Sequence, residues 1–184
     1  MIGAMLRRLV VLSVAVLAVA GCQTSTPETR APSSPSAPPL GETLPREAAD
    51  ELAENAVRDY LEVSAAIAAT GGTDTRPLDG VVSESWLAEE LAGFAAIREM
   101  GVAFRGAPTI VKIEVTALAG ITAVSEGTVH VCTALEGTAV VDDDGVALPV
   151  EPEFQRLSVS VVPRAGTFVV DAVEMWEDTS WCAQ

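Results

Sequence analysis

The stretch Ser83–Ala117, SESWLAEELAGFAAIREMGVAFRGAPTIVKIEVTA, changes its hydrophobic period partway along. In its first half Leu87, Leu91, Phe94 and Ile97 fall on one stripe, which predicts a helix from about Glu84 to Met100 with Ser83 as its N-cap and Gly101 past its end. After Gly106 the apolar residues alternate instead. Val111, Ile113, Val115 and Ala117 are separated by Lys112, Glu114 and Thr116, the pattern of a strand with one face on a core.

What flanks this switch sets the fold class. Upstream, Leu52, Ala56, Tyr60, Val63 and Ile67 share the face of a helix over Arg46–Ala69, ended by Gly71-Gly72, and Pro77 to Val82 forms one short helical turn. Downstream, the patterns predict a long strand over Ile121–Leu135, bent at Glu126-Gly127. A hairpin follows from Ala139–Val141 to Val146–Leu148 across Asp142-Asp143-Asp144-Gly145, and then strands Phe154–Val162 and Thr167–Trp176 joined by Pro163-Arg164-Ala165-Gly166. Helices first and strands second argue for α+β, with N-terminal helices packed on a curved antiparallel β-sheet, and against a doubly wound α/β fold. No internal repeat is present.

The N-terminal part is of another kind. Met1–Arg8 carries two positive charges and no acid, and Leu9–Ala20 is an apolar run of 12 residues, about 18 Å as a helix and short of the roughly 20 residues a bilayer span needs. Those are the features of a signal peptide over residues 1–21. Val19-Ala20-Gly21-Cys22 resembles the lipobox of bacterial lipoproteins, in which the cysteine receives a diacylglyceryl group and cleavage falls just before it. The resemblance implies that Cys22 is the lipidation site and that the mature chain is held at the extracytoplasmic face of the cell membrane by its lipid. Residues 22–45 form a tether, since Gln23–Pro45 holds six of the 11 prolines among Ser and Thr and cannot bury enough apolar surface to fold. Residues 46–184 form one domain.

Composition narrows the partners. With 11 Lys+Arg against 26 Asp+Glu, a formal charge of −15 and a pI near 4.3, the chain lacks the cationic surface that phosphate backbones require, so nucleic acid is excluded as a partner. No motif calls for a cofactor.

A long first helix, a short middle helix, a Trp-Leu-containing third helix (SESWLAEELAGFAAIREMG) and a run of antiparallel strands resemble the NTF2-like, or cystatin-like, cone. More narrowly, the YLEVSAAIAATGG helix end, a Cys on a middle strand and a Trp-x-Cys-like terminus are similar to uncharacterised actinobacterial lipoproteins carrying that domain. The resemblance covers about Glu47 to Cys182.

Few residues carry chemistry. With Cys22 lipidated, Cys132 and Cys182 have only each other, and in an oxidising exterior a disulfide is expected; buried free thiols or a catalytic Cys are the competing readings. His130, the single histidine, shares a strand face with Cys132. It reads either as a sheet histidine or as a general base or pH-sensing group in a cone pocket, paired with Glu114, Glu126 or Asp171. One histidine without a motif does not make a zinc site, and Asp142-Asp143-Asp144-Gly145 lacks the ligand spacing of a calcium loop, so no metal is assigned. Tyr60 invites comparison with ketosteroid isomerase, an NTF2-like enzyme, but no second Tyr or motif acid supports it, and Tyr60 is taken as a core residue whose hydroxyl finds a partner. Trp86, Phe94, Phe104, Phe154, Phe168 and Trp176 are assigned to the core, a few of them to a pocket lining. The expected function is a non-enzymatic binding or interaction module for a small apolar ligand, an envelope component or a protein partner. The alternative is an NTF2-like isomerase or hydrolase using His130 and a carboxylate inside the cone.

Overall fold

The computed structural model describes residues 45–119, 126–150, 153–176 and 180–183. The expected signal peptide, Cys22, residues 23–44 of the expected tether and residues 121–125 of the expected long strand lie outside them. Helix α1 spans Arg46–Ala69 and α2 spans Glu84–Glu99, with a 3-10 turn at Arg76–Gly80 between them. Among the described residues no helix is long and apolar enough to cross a membrane.

Helix α1 buries Ala49, Ala53, Ala56, Val57, Tyr60 and Ile67, a face of mostly small side chains that keeps the helix axis close to the sheet beneath. Its chain reverses through Gly71 and Gly72, both at positive φ. A side chain at Gly72 is excluded twice over, because φ is +73° and a Cβ there would stand 2.4 Å from the Phe94 carbonyl oxygen of α2. Ser83 caps α2 as expected, its Oγ accepting from the Trp86 N–H at 3.2 Å.

Among the described residues seven strands follow: β1 Val102–Arg105, β2 Thr109–Ala119, β3 Glu126–Ala134, β4 Ala139–Asp142, β5 Ala147–Pro149, β6 Phe154–Arg164 and β7 Thr167–Trp176. All their pairings are antiparallel. The fold is thus α+β, two helices packed on antiparallel sheets. The expectation of one curved sheet needs correction, because the strands form two: a four-stranded sheet in the order β2-β3-β6-β7 and a three-stranded one in the order β1-β4-β5. The division follows from two redirections of the chain. Gly106, at φ +76°, ends β1 with its Cα against Gly137, and the Leu135–Thr138 turn, held by Thr138 Oγ1 donating to the Leu135 carbonyl at 2.6 Å, carries the chain from β3 into β4. The 81–83 segment also runs beside β7, Val170 N–H donating to Val81 O and Ser83 N–H to Val170 O, which covers part of that sheet edge.

The core lies between α1 and the inward face of the large sheet. Val129 and Val131 of β3, Leu157, Val159 and Val161 of β6 and Phe168 and Val170 of β7 meet Ala53, Val57, Tyr60 and Ile67. On β2 the simple alternation is broken by two register shifts, between Ile110 and Lys112 and between Val115 and Ala117. The residues that pack inward are consequently Ile110, Ile113, Val115 and Leu118, while Val111 and Ala117, expected on the core, are exposed.

Candidate functional site

A cavity of about 360 Å³ opens between α1, α2 and the start of the strands, within the size range of about 300–1,000 Å³ typical of ligand sites. Leu61, Ala65, Ala68, Phe94, Ile97 and Phe104 contribute apolar wall, and exposed Glu89, Gly93 and Gly106 mark its mouth. Two larger depressions, of about 570 and 600 Å³, run along α1, but most of their walls are exposed helix and loop surface, so they are grooves rather than enclosed sites.

The polar end of the cavity is built from both helices. Tyr60, buried on α1, donates its hydroxyl to Glu90 Oε1 on α2 at 2.9 Å, and Trp86, one helical turn before Glu90, donates its indole N–H to the same oxygen at 3.1 Å. Ser64 Oγ lies nearby in the lining, shielded from water and without a hydrogen-bond partner. Burial raises the Glu90 carboxyl above the usual carboxylate range, with the negative Glu89 adding to the rise and the two donors opposing it. The Tyr60 hydroxyl is pushed up as well, by burial first and then by the adjacent Glu90 charge. Both groups thus hold their protons more firmly than they would in water. The site is an apolar chamber with one shielded acid, one phenol and one spare hydroxyl.

Sequence reasoning placed Tyr60 correctly and anticipated its need for a partner, but named no acid for it. Glu90 carried a usable signal, since it stands four residues after Trp86 and four before Phe94 and so interrupts an otherwise aromatic helix face. Phe94 and Phe168 are core residues as expected, and Phe94 and Phe104 contribute to the cavity wall.

His130 has no part in this cavity. It alternates with Val129 and Val131, whose side chains fill the helix-facing core, and so projects from the opposite face of the large sheet. There its ring lies 4.8 Å from Trp176 and 6.3 Å from Trp181. Burial and neighbouring Arg156 lower its pKa, against an upward pull from Glu114, its cross-strand partner on β2. Of the other two carboxylates proposed for it, Glu126 opens β3 four residues away, about 13 Å along a strand. Asp171 is committed elsewhere: its Oδ1 accepts from Ser83 Oγ at 2.5 Å and Ser85 Oγ at 2.6 Å, which holds its carboxyl below the usual range and ties β7 to the start of α2. His130 and Glu114 thus stand together on the outer face of the sheet, and neither they nor Glu126 and Asp171 line the cavity between the helices.

The same outer face holds the cysteines. Cys132 and Cys182 stand at disulfide geometry, with Sγ atoms 2.05 Å and Cα atoms 5.6 Å apart. Cys182 belongs to a terminal 3-10 turn, Ser180–Ala183, and the link seats Trp181 over the sheet, where Lys112 Nζ lies 4.2 Å from its ring centroid. Arg156 stacks on Trp176 at 4.1 Å, so Trp176, expected in the core, instead covers a cation on the outer face and remains 38% exposed. The Asp142–Gly145 segment is a hairpin turn, with Asp142 Oδ1 accepting from the Val146 N–H at 2.8 Å.

No protein-family model and no curated protein matches the sequence. Among solved structures, the chain is similar to the intermembrane space region of the chloroplast protein ARC6, with a TM-score of 0.50 and 14% identity over 73% of this chain and all of that one. The likeness is one of fold. A de novo designed β-sheet protein solved by NMR aligns with a TM-score of 0.38 and 13% identity over 71% of this chain and 92% of the design.

Proposed function

We propose that this chain is a lipid-anchored extracytoplasmic protein whose domain, an NTF2-like cone, acts as a non-enzymatic binding module for a small, largely apolar ligand. The observation that carries the binding reading is the cavity of about 360 Å³ between the two helices and the strands, walled by aliphatic and aromatic side chains and carrying a few polar groups at one end. Its companion for location is the Val19-Ala20-Gly21-Cys22 sequence behind a short apolar run. Two acyl chains on Cys22 would suffice for stable anchoring, since each buried methylene contributes about 0.8 kcal/mol. Two helices laid on strands bent by bulges support the cone reading of the fold.

Binding is tested with N-phenyl-1-naphthylamine, a neutral apolar fluorophore. Wild-type protein is expected to enhance its emission saturably, and Ala65→Trp, which fills the cavity, is expected to abolish the enhancement while unfolding at a similar temperature. Equal enhancement by both proteins would rule out the cavity as the binding site. Anchoring is tested by intact mass of the mature protein and by fractionation of Cys22→Ala, which is expected to leave the membrane; a mature N-terminus without acyl mass would refute it.

A further inference from the structure

We propose that the cavity selects an amphiphilic cation, a compact apolar body bearing a protonated amine that pairs with Glu90. The inference rests on the cavity's being a ligand site and adds the chemistry of the ligand. Three independent observations converge on it.

The first is the state of the carboxyl. Glu90 Oε1 already accepts two hydrogen bonds from neutral donors, Tyr60 and Trp86, whereas Oε2 has no protein partner among the described residues. A carboxylate in an apolar chamber is costly unless a cation meets it. Among the described residues no cation does so. Glu89 and Glu90 are the charged residues of the lining, which contains no Lys, Arg or His. Burial accordingly raises the carboxyl, making its charge harder to hold without a cation beside it.

The second is the wall. The rings of Tyr60, Phe94 and Phe104 line the chamber, and aromatic faces attract ammonium groups that an anion would find repulsive. The third is the field. With Glu89 exposed at the mouth and a formal charge of −15 on the chain, cations are concentrated at the entrance and anions excluded. The alternatives fit less well: a neutral ligand gives the Glu90 carboxylate no counter-charge, and an acidic one adds negative charge beside two carboxyls.

The test uses three probes of one shape, 1-adamantylammonium, 1-adamantanol and adamantane-1-carboxylate, titrated at neutral pH into the full-length protein as the cell produces it, by calorimetry and thermal shift. The ammonium is expected to bind at least about tenfold more tightly than the alcohol, a difference of about 1.4 kcal/mol, and the carboxylate not measurably. Glu90→Gln, which keeps an acceptor for Tyr60 and Trp86 but removes the charge, is expected to shrink the ammonium-to-alcohol ratio to within about threefold. The wild-type ranking stands by itself if that variant folds poorly. Alcohol binding equal to or tighter than ammonium binding overturns the cation preference while leaving the cavity a ligand site, as does an undiminished ratio in a folded Glu90→Gln. Absence of binding by all three probes overturns both.

Discussion

Ala165 occupies a conformation that its side chain disfavours. It is the first residue of the two-residue loop between β6 and β7, at φ +50°, followed by Gly166 at φ +91°. Two successive positive φ values are what a tight hairpin demands, and Asn-Gly meets that demand better than Ala-Gly. Ala165→Asn is expected to raise stability by about 0.5–1 kcal/mol in urea unfolding, with the denaturant slope unchanged. Ser83 works in the other direction. Its Oγ accepts from the Trp86 N–H and donates to Asp171, so Ser83→Ala is expected to cost about 1–2 kcal/mol through loss of the cap and of a charge-assisted bond. Glu90 contributes a pH dependence instead. Its carboxyl is raised from the ordinary 4.5, so the folded state holds the proton longer than the unfolded chain does. The stability this provides is complete below the unfolded pKa and is lost as pH rises through the folded one. Unfolding measured from about pH 4 to about pH 8 is therefore expected to shift in favour of Glu90→Gln, relative to wild type, as pH rises.

At the scale of elements, the C-terminal turn depends on one covalent link. The Cys132–Cys182 bond closes a loop of 50 residues, for which chain entropy suggests about 4 kcal/mol. It also seats Trp181 over Lys112 and near Arg156. Cys182→Ala is expected to lower the unfolding temperature and shift tryptophan emission to the red as Trp181 becomes hydrated, and a wild-type protein with two alkylatable thiols would show that the bond does not form. This pairing was legible in the sequence because, once Cys22 is assigned to a lipid anchor, only two cysteines remain. The helices were legible as well, since α1 and α2 each repeat their apolar stripe over several turns. β1 was not: Val102–Arg105 is four residues between two glycines, too short to display a period, and it is a strand because β4, more than thirty residues later, pairs with it. The bulges of β2 were hidden for a related reason. Val111, Ile113, Val115 and Ala117 alternate faultlessly in sequence, and only the register against β3 turns Val111 and Ala117 outward. The site failed in the same manner, because Tyr60 and Glu90 are 30 residues apart and meet only once α1 and α2 pack.

Charge acts on the molecule as a whole. Cleavage before Cys22 would remove Arg7 and Arg8 and no acid, taking the formal charge from −15 to −17. A domain so acidic, if tied to an anionic leaflet, is repelled by the surface that holds it, with a range set by a Debye length of about 8 Å at physiological salt. The proline-rich segment before Pro45 suits that situation: about 20 such residues reach roughly 60 Å in a fully extended polyproline form and about 25 Å as a coil, several Debye lengths in either case. The field that would hold an anchored domain off the membrane would also draw cations toward the cavity mouth, so the proposed standoff and ligand preference share one origin in the excess of acids. The two are separable by experiment. The unlipidated fragment Gln23–Gln184 is expected to stay unbound in sedimentation with anionic phosphatidylglycerol vesicles at low and at physiological ionic strength, and the affinity of the full-length protein for 1-adamantylammonium to fall as salt rises. Tight vesicle binding by the fragment would mean that a local surface outweighs the net charge and that the domain lies on the membrane instead of standing clear of it.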